Sequence, residues 1–266
     1  MEHSDISGYE KPSVAVDAAV FGVESVEAAT MEEMRLKLLL VKRREEPFGG
    51  SYCLPGGFLR ENETVEEALD RELLEETGTK SSRLIPLKVY SGRGRDPRGW
   101  VISAAYISLT RTVSLSTDRD SDADCAVWTD ISYSREAGCE RITVSHESGF
   151  KAVMERAAGQ EHFSGDTDKF AFDHGQIICD AFGKLQSEVR YHDMIFDLMP
   201  ETFTVSGLHG PYKMILGINE TVQAFRKRMS GKIEETELYD NTKMAHRKSK
   251  LYRRRKEDIN GTFSGY

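Results

Sequence analysis

The sequence has little of what a disulfide scaffold or a zinc site requires. Its 266 residues contain only four cysteines, and no CxxC pair or Cys/His spacing connects them. Scattered cysteines in a chain of this length exclude the disulfide framework of small secreted domains. We therefore expect free thiols in a reducing cytoplasm at all four positions, Cys53, Cys125, Cys139 and Cys179.

Long apolar runs are also missing. The longest lies near residues 38–41 and is far too short for a helix that crosses a bilayer. The N-terminal stretch MEHSDISGYEKPS has neither the basic nor the apolar region of a secretory signal. We expect a cytoplasmic protein with no membrane partner.

Acidic residues outnumber basic ones in the chain as a whole, but not near the C-terminus. The net charge of −8 argues against a surface that coats nucleic acid throughout. Residues 241–256 nevertheless hold eight Lys or Arg and no acid. With 39% hydrophobic and 30% charged residues, the composition is typical of a globular protein with one large or two ordinary domains.

Residues 64–77 carry the strongest local pattern and predict a helix. Thr64 and Glu67 have the spacing of a capping box, and Gly78 suits the helix C-terminus. At about 100° per residue, one face of this helix is apolar in its first half. That face is formed by Val65, Ala68 and Leu69.

The same face becomes acidic in the second half of the helix. Glu72 and Glu76 fall in the apolar arc, and Glu75 lies at its edge. An ordinary solvated helix is the alternative, but it would place its acids on the opposite side, with lysines among them. Here Arg71 is the only basic residue. Because clustered carboxylates that turn inward are costly without a cation, the pattern favours a cation site.

These residues resemble the Nudix box, G-x(5)-E-x(7)-R-E-U-x-E-E-x-G-U, where U is a bulky aliphatic residue. Eight positions fall in register, and only Thr79, in the last U position, departs from the pattern. The resemblance implies a hydrolase of nucleoside diphosphates linked to another moiety, with Mg²⁺ or Mn²⁺ as its cofactor. The matching residues are Gly57, Glu63, Arg71, Glu72, Leu73, Glu75, Glu76 and Gly78.

The resemblance also implies the roles within the site. The metal ligands would be the carbonyl of Gly57 and the carboxylates of Glu72, Glu75 and Glu76, an all-oxygen set that suits hard cations. Arg71, held by Glu63, would orient the site. The general base stays open between a box glutamate and an acid beyond the box. Candidates of the second kind are Asp122 and Asp124, whose alternative is a solvated acidic loop.

The rest of the first half predicts strands around the helix. Apolar or β-branched segments indicate strands at 14–23, 36–42, 51–54, 84–90 and 100–109. The Nudix resemblance implies a further strand that begins near residue 125. The segment 24–34 is predicted to be a hairpin loop. The expected fold class is α/β (α+β), a Nudix fold with a mixed sheet sandwiched by helices.

A basic loop at 91–99 follows the fourth of these strands. It is either a solvated turn or a surface that faces phosphate and ribose, because guanidinium groups bind phosphate through two hydrogen bonds. The run RDPRGWVISAAYISL is similar to a segment of Nudix proteins that take ADP-ribose. The expected substrate contacts are Arg43, Gly56, Arg95, Asp96 and Arg98, with Gly56 chosen because it has no side chain.

Residues 131–168 are predicted to be an insertion in a Nudix domain that spans 1–168. Within it, ERITVSH suggests a short strand and GFKAVMERAAG a short helix. The insertion could serve as a lid or as a subunit contact, and the sequence does not choose between them.

Residues 169–266 have the order of a winged helix-turn-helix domain. A first helix at 169–190 has the apolar stripe Ile177, Ile178, Ala181, Phe182 and Leu185. His174, at its start, is expected to cap or pack rather than to bind metal. A short apolar element at 195–200 follows, then helices with Thr204 and Asn219 as N-caps, and a hairpin at 232–238 and 250–254.

In that arrangement the third helix would read DNA and the basic loop would form the wing. The alternative is a helical tail with a solvated basic arm. The expected DNA contacts are Arg226, Lys227, Arg228, Arg247, Lys248 and Lys250. Together, FAFDHGQII, MPETFT and KLYRR make nearly the whole chain similar to Nudix-related regulators of NAD metabolism, the NrtR type, although residues 131–168 depart from it.

The resemblance implies two functions. The first is a Mg²⁺-dependent ADP-ribose pyrophosphatase that yields AMP and ribose 5-phosphate. The second is a DNA-binding regulator that senses ADP-ribose with little or no hydrolysis. A bifunctional protein would combine them, and in each case we expect a homodimer. A weaker idea is a hydrolase whose C-terminal domain serves only to dimerise it.

Overall fold

The computed structural model describes residues 8–27, 32–78, 81, 83–111, 113, 126–240 and 249–255. Within these ranges, ten strands form one mixed sheet and two more form a separate hairpin. The ten strands are β1 (Ser13–Glu27), β2 (Glu32–Lys42), β3 (Tyr52–Cys53), β4 (Gly56–Phe58), β5 (Arg83–Tyr90), β6 (Val101–Thr110), β7 (Ala126–Glu136), β8 (Cys139–Ser145), β9 (Lys151–Arg156) and β10 (Ser164–Gly165).

Strand β1 lies near the centre of the sheet. The sheet order is β10-β9-β8-β7-β2-β1-β6-β5, while β3 pairs with β2 and β4 with β1. The pairing of β1 with β6 is parallel and the other pairings are antiparallel. Central strands of a covered sheet bury both faces, which is why β1 is an almost continuous apolar run.

The loop predicted at 24–34 is too long, because strands occupy most of this segment. Strands β1 and β2 stay paired as far as the Cα partners Glu27 and Glu32, so the hairpin is a long two-stranded ribbon. The acids in this stretch suggested a loop, but a ribbon beyond the core can carry charged side chains. Glu24, at the start of this stretch, pairs with the ammonium of buried Lys37 in β2 at 3.0 Å, and Lys37 also pairs with Asp130 of β7 at 2.8 Å.

The predicted helix in GFKAVMERAAG is also wrong, because β9 occupies that segment. Ala, Met, Glu and Arg are good helix formers, which made the segment look helical. Tertiary pairing overrides that preference. Ala152 and Met154 alternate into the core, and β9 pairs with β8 along its length. The predicted short strand in ERITVSH is confirmed as β8. Most of residues 131–168 therefore extend the main sheet.

Helices cover both faces of the sheet, as predicted. Helix α1 (Val65–Thr77) packs on one face, where Val16, Ala18 and Val20 of β1 point. Helix α2 (His174–Tyr191) packs on the other face against Ala19 and Phe21, and its predicted apolar stripe is buried. A 3-10 turn at Asp166–Lys169 precedes α2, and another at Met194–Leu198 follows it.

The C-terminal elements form the predicted winged helix. They are α3 (Val205–Leu216), α4 (Val222–Met229), β11 (Ile233–Asp240) and β12 (Ser249–Arg254). Thr204 caps α3 through a hydrogen bond from the amide of Gly207. The predicted cap at Asn219 is wrong, because Thr221 caps α4 instead by accepting from the amide of Ala224. Asn219 and Thr221 are both polar and close in sequence, but only the hydroxyl of Thr221 accepts the hydrogen bond from the helix.

Helix α3 connects the winged helix to the main sheet. Its residues share one apolar core with α2 and the sheet. Gly210 lies against Met34 of β2, and a Cβ on Gly217 would collide with the ring of Tyr133 in β7. Because α2 contacts both the sheet and α3, the boundary expected at residue 168 stays a prediction.

None of the helices in the described ranges combines the length and apolar character that crossing a bilayer requires. Among the described cysteines, Cys53, Cys139 and Cys179 are free thiols, as expected. Cys125 lies outside the described residues.

Candidate functional site

Helix α1 forms for the local reasons its sequence indicates. Thr64 accepts a hydrogen bond from the amide of Glu67, and the Glu67 carboxylate accepts one from the amide of Thr64, which completes the capping box. Gly78 ends the helix in the left-handed region at φ 64°. The buried face consists of Ala68, Leu69, Leu73 and Thr77.

Arg71 donates hydrogen bonds to three acids of the Nudix-like stretch. Its Nε and Nη2 donate to the two carboxylate oxygens of Glu63 at 2.6 and 2.9 Å. Its Nη1 donates to Glu72 at 2.6 Å and to Glu75 at 3.3 Å. The hydrogen bonds from Arg71, with one from the amide of Arg60, lower the pKa of Glu63 to about 2. The expected contact between Glu63 and Arg71 is therefore present.

Strand β4 brings two glycines against these acids. Gly57 lies so close to Glu72 that a Cβ on the glycine would collide with the carboxylate. The amide of Gly56 donates to Glu76 at 2.9 Å. A Cβ on Gly56 would collide with the backbone carbonyl of Val16, so this position requires glycine, whereas Gly57 is crowded only by the end of the Glu72 side chain.

The donor chemistry of this corner fits a hard divalent cation. Glu72 lies directly beside the backbone of Gly57, and all available donors are oxygens. Among the described residues, however, no three acidic, His or Cys side chains lie close enough together to hold a metal. Glu75 is half-exposed and turns toward Arg60 and Arg71. The joint ligand set of Glu72, Glu75 and Glu76 stays a prediction.

A pocket of about 150 Å³ opens beside the two glycines. It lies where β1, β4, the loop at 91–100 and the segment before α2 meet. All five expected substrate contacts line it, and so do Gly57 and Glu76 of the box. The five predicted substrate contacts in the pocket lining are Arg43, Gly56, Arg95, Asp96 and Arg98.

The structure adds a buried charged cluster that sequence reasoning missed. Asp17 in β1 is 6% exposed and lies 3.5 Å from Nη2 of Arg95. Arg95 also donates to both carboxylate oxygens of Asp173, at 2.9 and 2.7 Å. Asp17 accepts a further hydrogen bond from Ser103. The guanidinium of Arg95 is thus held between two carboxylates.

His174 completes the cluster and packs as expected. The amide of Leu54 donates to its Nδ1 at 2.9 Å, so the neutral ring carries its proton on Nε2, which lies 3.4 Å from Asp17. Burial lowers the pKa of His174, and the nearby Asp17 opposes this shift without reversing it. The ring therefore stays neutral and helps to position Asp17.

Aromatic rings form the outer wall of the pocket. The guanidinium of Arg98 lies 5.2 Å from the ring centres of both Phe58 and Phe172. Arg43 lies 4.8 Å from the ring of Phe172. The guanidinium of Arg98 is held in place by three hydrogen bonds that it donates to buried Asp96. The hydrogen bond from Arg98 lowers the pKa of Asp96, which stays ionised. This wall offers flat surfaces and positive charge together.

One sequence signal could have found the missed cluster. Asp17 is the only acid in the apolar run VAVDAAVFGV of a predicted buried strand. A carboxylate at such a position needs a partner. Nothing in the local sequence names Arg95 or Asp173 as that partner, because they lie 78 residues apart from each other and come together only in the fold.

The winged helix displays part of the expected DNA surface. Helix α4 buries only Phe225 and Met229, and Lys227 on it is exposed. Arg226 donates to Tyr252 at 2.8 Å, and Arg228 pairs with Glu220 and donates to Tyr212 at 2.6 Å.

Lys250 lies over the ring of Tyr239 at 4.7 Å, on the hairpin. The other expected contacts of the wing, Arg247 and Lys248, lie outside the described residues. The same is true of Asp122 and Asp124, the acids considered as a general base.

Comparisons with known proteins match both halves of the chain. The NUDIX domain model matches residues 24–133, and the NrtR DNA-binding winged helix domain model matches residues 195–254. The ADPR responsive transcriptional repressor NtrR of Acinetobacter baylyi is 30% identical over 97% of this chain and 88% of its own length. The ADP-ribose pyrophosphatase of Methanocaldococcus jannaschii is 46% identical over 37% of this chain and 52% of its own length.

Solved structures agree on the fold. A MutT/nudix family protein from Enterococcus faecalis is 29% identical, with a TM-score of 0.72 over 95% of this chain and 90% of its own. Shewanella oneidensis NrtR in complex with a 27mer DNA has a TM-score of 0.60 at 22% identity over 91% of this chain and 93% of its own. The chain belongs to the Nudix-related family of the NrtR type, in which a Nudix domain precedes a winged helix domain.

Proposed function

We propose that this protein is a DNA-binding regulator whose Nudix pocket takes an ADP-ribose-type nucleotide as its effector. One observation carries the proposal. Helix α2 begins in the pocket, where His174 contacts Asp17, and its other half reaches the winged helix, where Gln186 donates to the carbonyl of Ile215 at 2.8 Å. One rigid element therefore touches both modules. The repressor of Acinetobacter baylyi, similar along nearly the whole chain, supports the same assignment.

The pocket suits a nucleoside diphosphate. Guanidinium groups bind diphosphate oxygens through paired hydrogen bonds, and an aromatic wall accepts a base by stacking. We assign Arg43 and Arg98 to the phosphate side, beside the rings of Phe58 and Phe172. Arg95 is held by Asp17 and Asp173, so a phosphate that reaches it must replace a carboxylate. Such an exchange would loosen the start of α2.

The winged helix suits duplex DNA. Helix α4 is short and amphipathic, with Arg226, Lys227 and Arg228 in its last turn. We assign these residues, with Lys250 and the basic residues Arg247 and Lys248 of the wing, to phosphate or base contacts. Because phosphate contacts release counterions, binding should weaken as salt rises.

A second candidate is hydrolysis of the same nucleotide, and the complete Nudix box favours it. A divalent ion held by Glu72, Glu75, Glu76 and the carbonyl of Gly57 would neutralise the diphosphate and lower the pKa of a bound water. Arg71 orients Glu72 while Glu63 holds Arg71 in place. The general base stays undetermined. The ADP-ribose pyrophosphatase of Methanocaldococcus jannaschii, which is similar over 37% of this chain, supports this candidate.

Electrophoretic mobility of the DNA upstream of the gene tests the regulator. We expect salt-sensitive binding that changes when ADP-ribose is added. Arg98→Ala should keep DNA binding and lose most of the response to ADP-ribose. The matched control is Arg141→Ala, an exposed arginine that pairs with Glu155 far from the pocket. Binding that is absent, or identical with and without ADP-ribose, would refute the regulator.

Incubation with ADP-ribose and Mg²⁺ tests the enzyme. Faster hydrolysis of ADP-ribose by the wild type than by Glu75→Gln and Glu76→Gln would support the enzyme. Equal rates in the three proteins would refute it. The same samples, measured by light scattering, test the homodimer that we also propose.

A further inference from the structure

Helix α2 has an ion pair at each of its ends. At its start, Asp173 binds Arg95 of the pocket at 2.7 Å. Two residues after the helix ends at Tyr191, Asp193 accepts a hydrogen bond from the ammonium of Lys232 at 2.5 Å. We propose that the pair of Asp193 and Lys232 transmits effector binding in the pocket to the DNA-binding elements, an inference that rests on the proposed regulator.

The first argument is the position of Lys232. It lies in the turn between α4, which ends at Met229, and β11, which begins at Ile233. The amide of Lys232 donates to the carbonyl of Met229 at 2.9 Å, and its carbonyl accepts from the amide of Arg255 at 3.0 Å. The backbone of Lys232 is therefore bonded to the end of α4 and to the end of the hairpin. Both elements belong to the proposed DNA surface.

The second argument is the backbone of Asp193. Its φ is 57°, in the left-handed region, which aspartate tolerates better than most residues but glycine adopts at lower cost. Glycine has no carboxylate and could not bind Lys232. Asp193 therefore combines the sharp turn at the end of α2 with a contact to the winged helix. Its side chain is only 23% exposed, which limits the directions it can take.

The third argument is the stiffness of α2. The helix has 18 residues, which makes it about 27 Å long, and its apolar face is buried. Rigid helices in switching proteins ordinarily shift by about 1–2 Å. When a phosphate takes the place of Asp173 on Arg95, the start of α2 is released and Asp193 moves with the helix. Because charge-assisted hydrogen bonds are short, Lys232 must follow or lose its partner, and either outcome alters the turn between α4 and β11.

The ratio of DNA affinities without and with saturating ADP-ribose tests the proposal. Electrophoretic mobility of the upstream DNA with the full chain measures it, and we expect a ratio of about fivefold or more in the wild type. Asp193→Asn removes the charge but keeps a residue that tolerates the left-handed backbone. This variant and Lys232→Ala should each reduce the ratio by about threefold or more. Lys232→Arg, which keeps the cation, should retain it.

The ratio also separates coupling from direct DNA contact. A lysine that merely touched a phosphate would, when replaced, weaken DNA binding equally with and without ADP-ribose, and the ratio would not change. Because the two residues act as one pair, the double variant of Asp193→Asn and Lys232→Ala should lose no more of the ratio than either single variant. Losses that multiply in the double variant would overturn the pairing.

The matched control is Lys184→Ala. Lys184 is 40% exposed, as is Lys232, but it pairs with Glu188 inside α2 and contacts neither end of the helix. This variant should keep the wild-type ratio. A wild type that responds to ADP-ribose, together with Asp193→Asn and Lys232→Ala proteins that respond equally, would overturn this inference and leave the regulator standing. A wild type that does not respond would overturn both.

Discussion

The two helices that reach the pocket, α1 and α2, begin in different ways. Helix α1 begins with a complete capping box, in which Thr64 and Glu67 satisfy each other's amides. Helix α2 begins at Asp173, a residue type that also caps helices well. Its carboxylate, however, binds the guanidinium of Arg95 through two hydrogen bonds instead of the amides of its own helix.

This difference separates a locally determined element from one that tertiary structure fixes. The start of α1 depends on residues three positions apart. The start of α2 depends on Arg95 in a loop and on Asp17 in a central strand. Because Asp173 binds Arg95, helix α2 lacks a side-chain hydrogen bond at its N-terminus, but its first residue is connected to the pocket. We therefore expect α2, rather than α1, to respond when the pocket is filled.

The largest expected effect is from Arg95→Ala, which removes the anchor of α2. The substitution leaves Asp17 and Asp173 without their shared cation, and the side chain of Arg95 is only 6% exposed. Breaking a buried ion pair from one side costs about 3–5 kcal/mol. Urea unfolding should show a loss of stability in this range.

The control for Arg95→Ala is again Arg141→Ala, whose side chain is 51% exposed beside Glu155. Exposed ion pairs contribute little to stability, so this variant should unfold almost like the wild type. Equal losses in the two variants would mean that the cluster at Arg95 does not anchor α2.

The contrast between local and long-range contacts also explains which features could be predicted from the sequence. The capping box and the acidic face of α1 lie within one short stretch, and their spacing alone predicted the helix. The cap at Thr204 was predictable for the same reason. Local chemistry determined each of these features. The corner that Gly57 forms with the helix was implied by the resemblance to the Nudix box.

The errors arose where long-range contacts decide the structure. The segment GFKAVMERAAG has good helix formers but lies as β9 beside β8, because Ala152 and Met154 fill the core. The partners of Asp17 could not be predicted, because His174 and Arg95 are far away in the chain. A single sequence shows that such a carboxylate needs a partner, but not which residue provides it.

A smaller effect is expected from Thr64→Ala, which breaks the cap of α1. Loss of an N-cap hydroxyl costs about 1 kcal/mol, and the reciprocal bond from the residue 64 amide to the Glu67 carboxylate would remain. Urea unfolding should show this modest loss. Thr64→Ser, which keeps the hydroxyl, should stay close to the wild type. A loss as large as that of Arg95→Ala would contradict the view that α1 is capped only locally.

The smallest effect concerns the pH dependence of the pair between Glu63 and Arg71, next to α1. Hydrogen bonds from Arg71 and from the amide of Arg60 lower the pKa of Glu63 from 4.5 to about 2. A carboxyl whose pKa falls on folding stabilises the protein fully above its unfolded pKa, and this contribution disappears as pH falls through the folded one. The difference in unfolding free energy between the wild type and Glu63→Gln should therefore be constant above pH 4.5 and shrink between pH 4.5 and 2. Urea unfolding of both proteins across this interval measures it. A difference that stays constant as the pH falls would contradict this prediction, because it would show that the charge of Glu63 does not contribute to the stability of the protein.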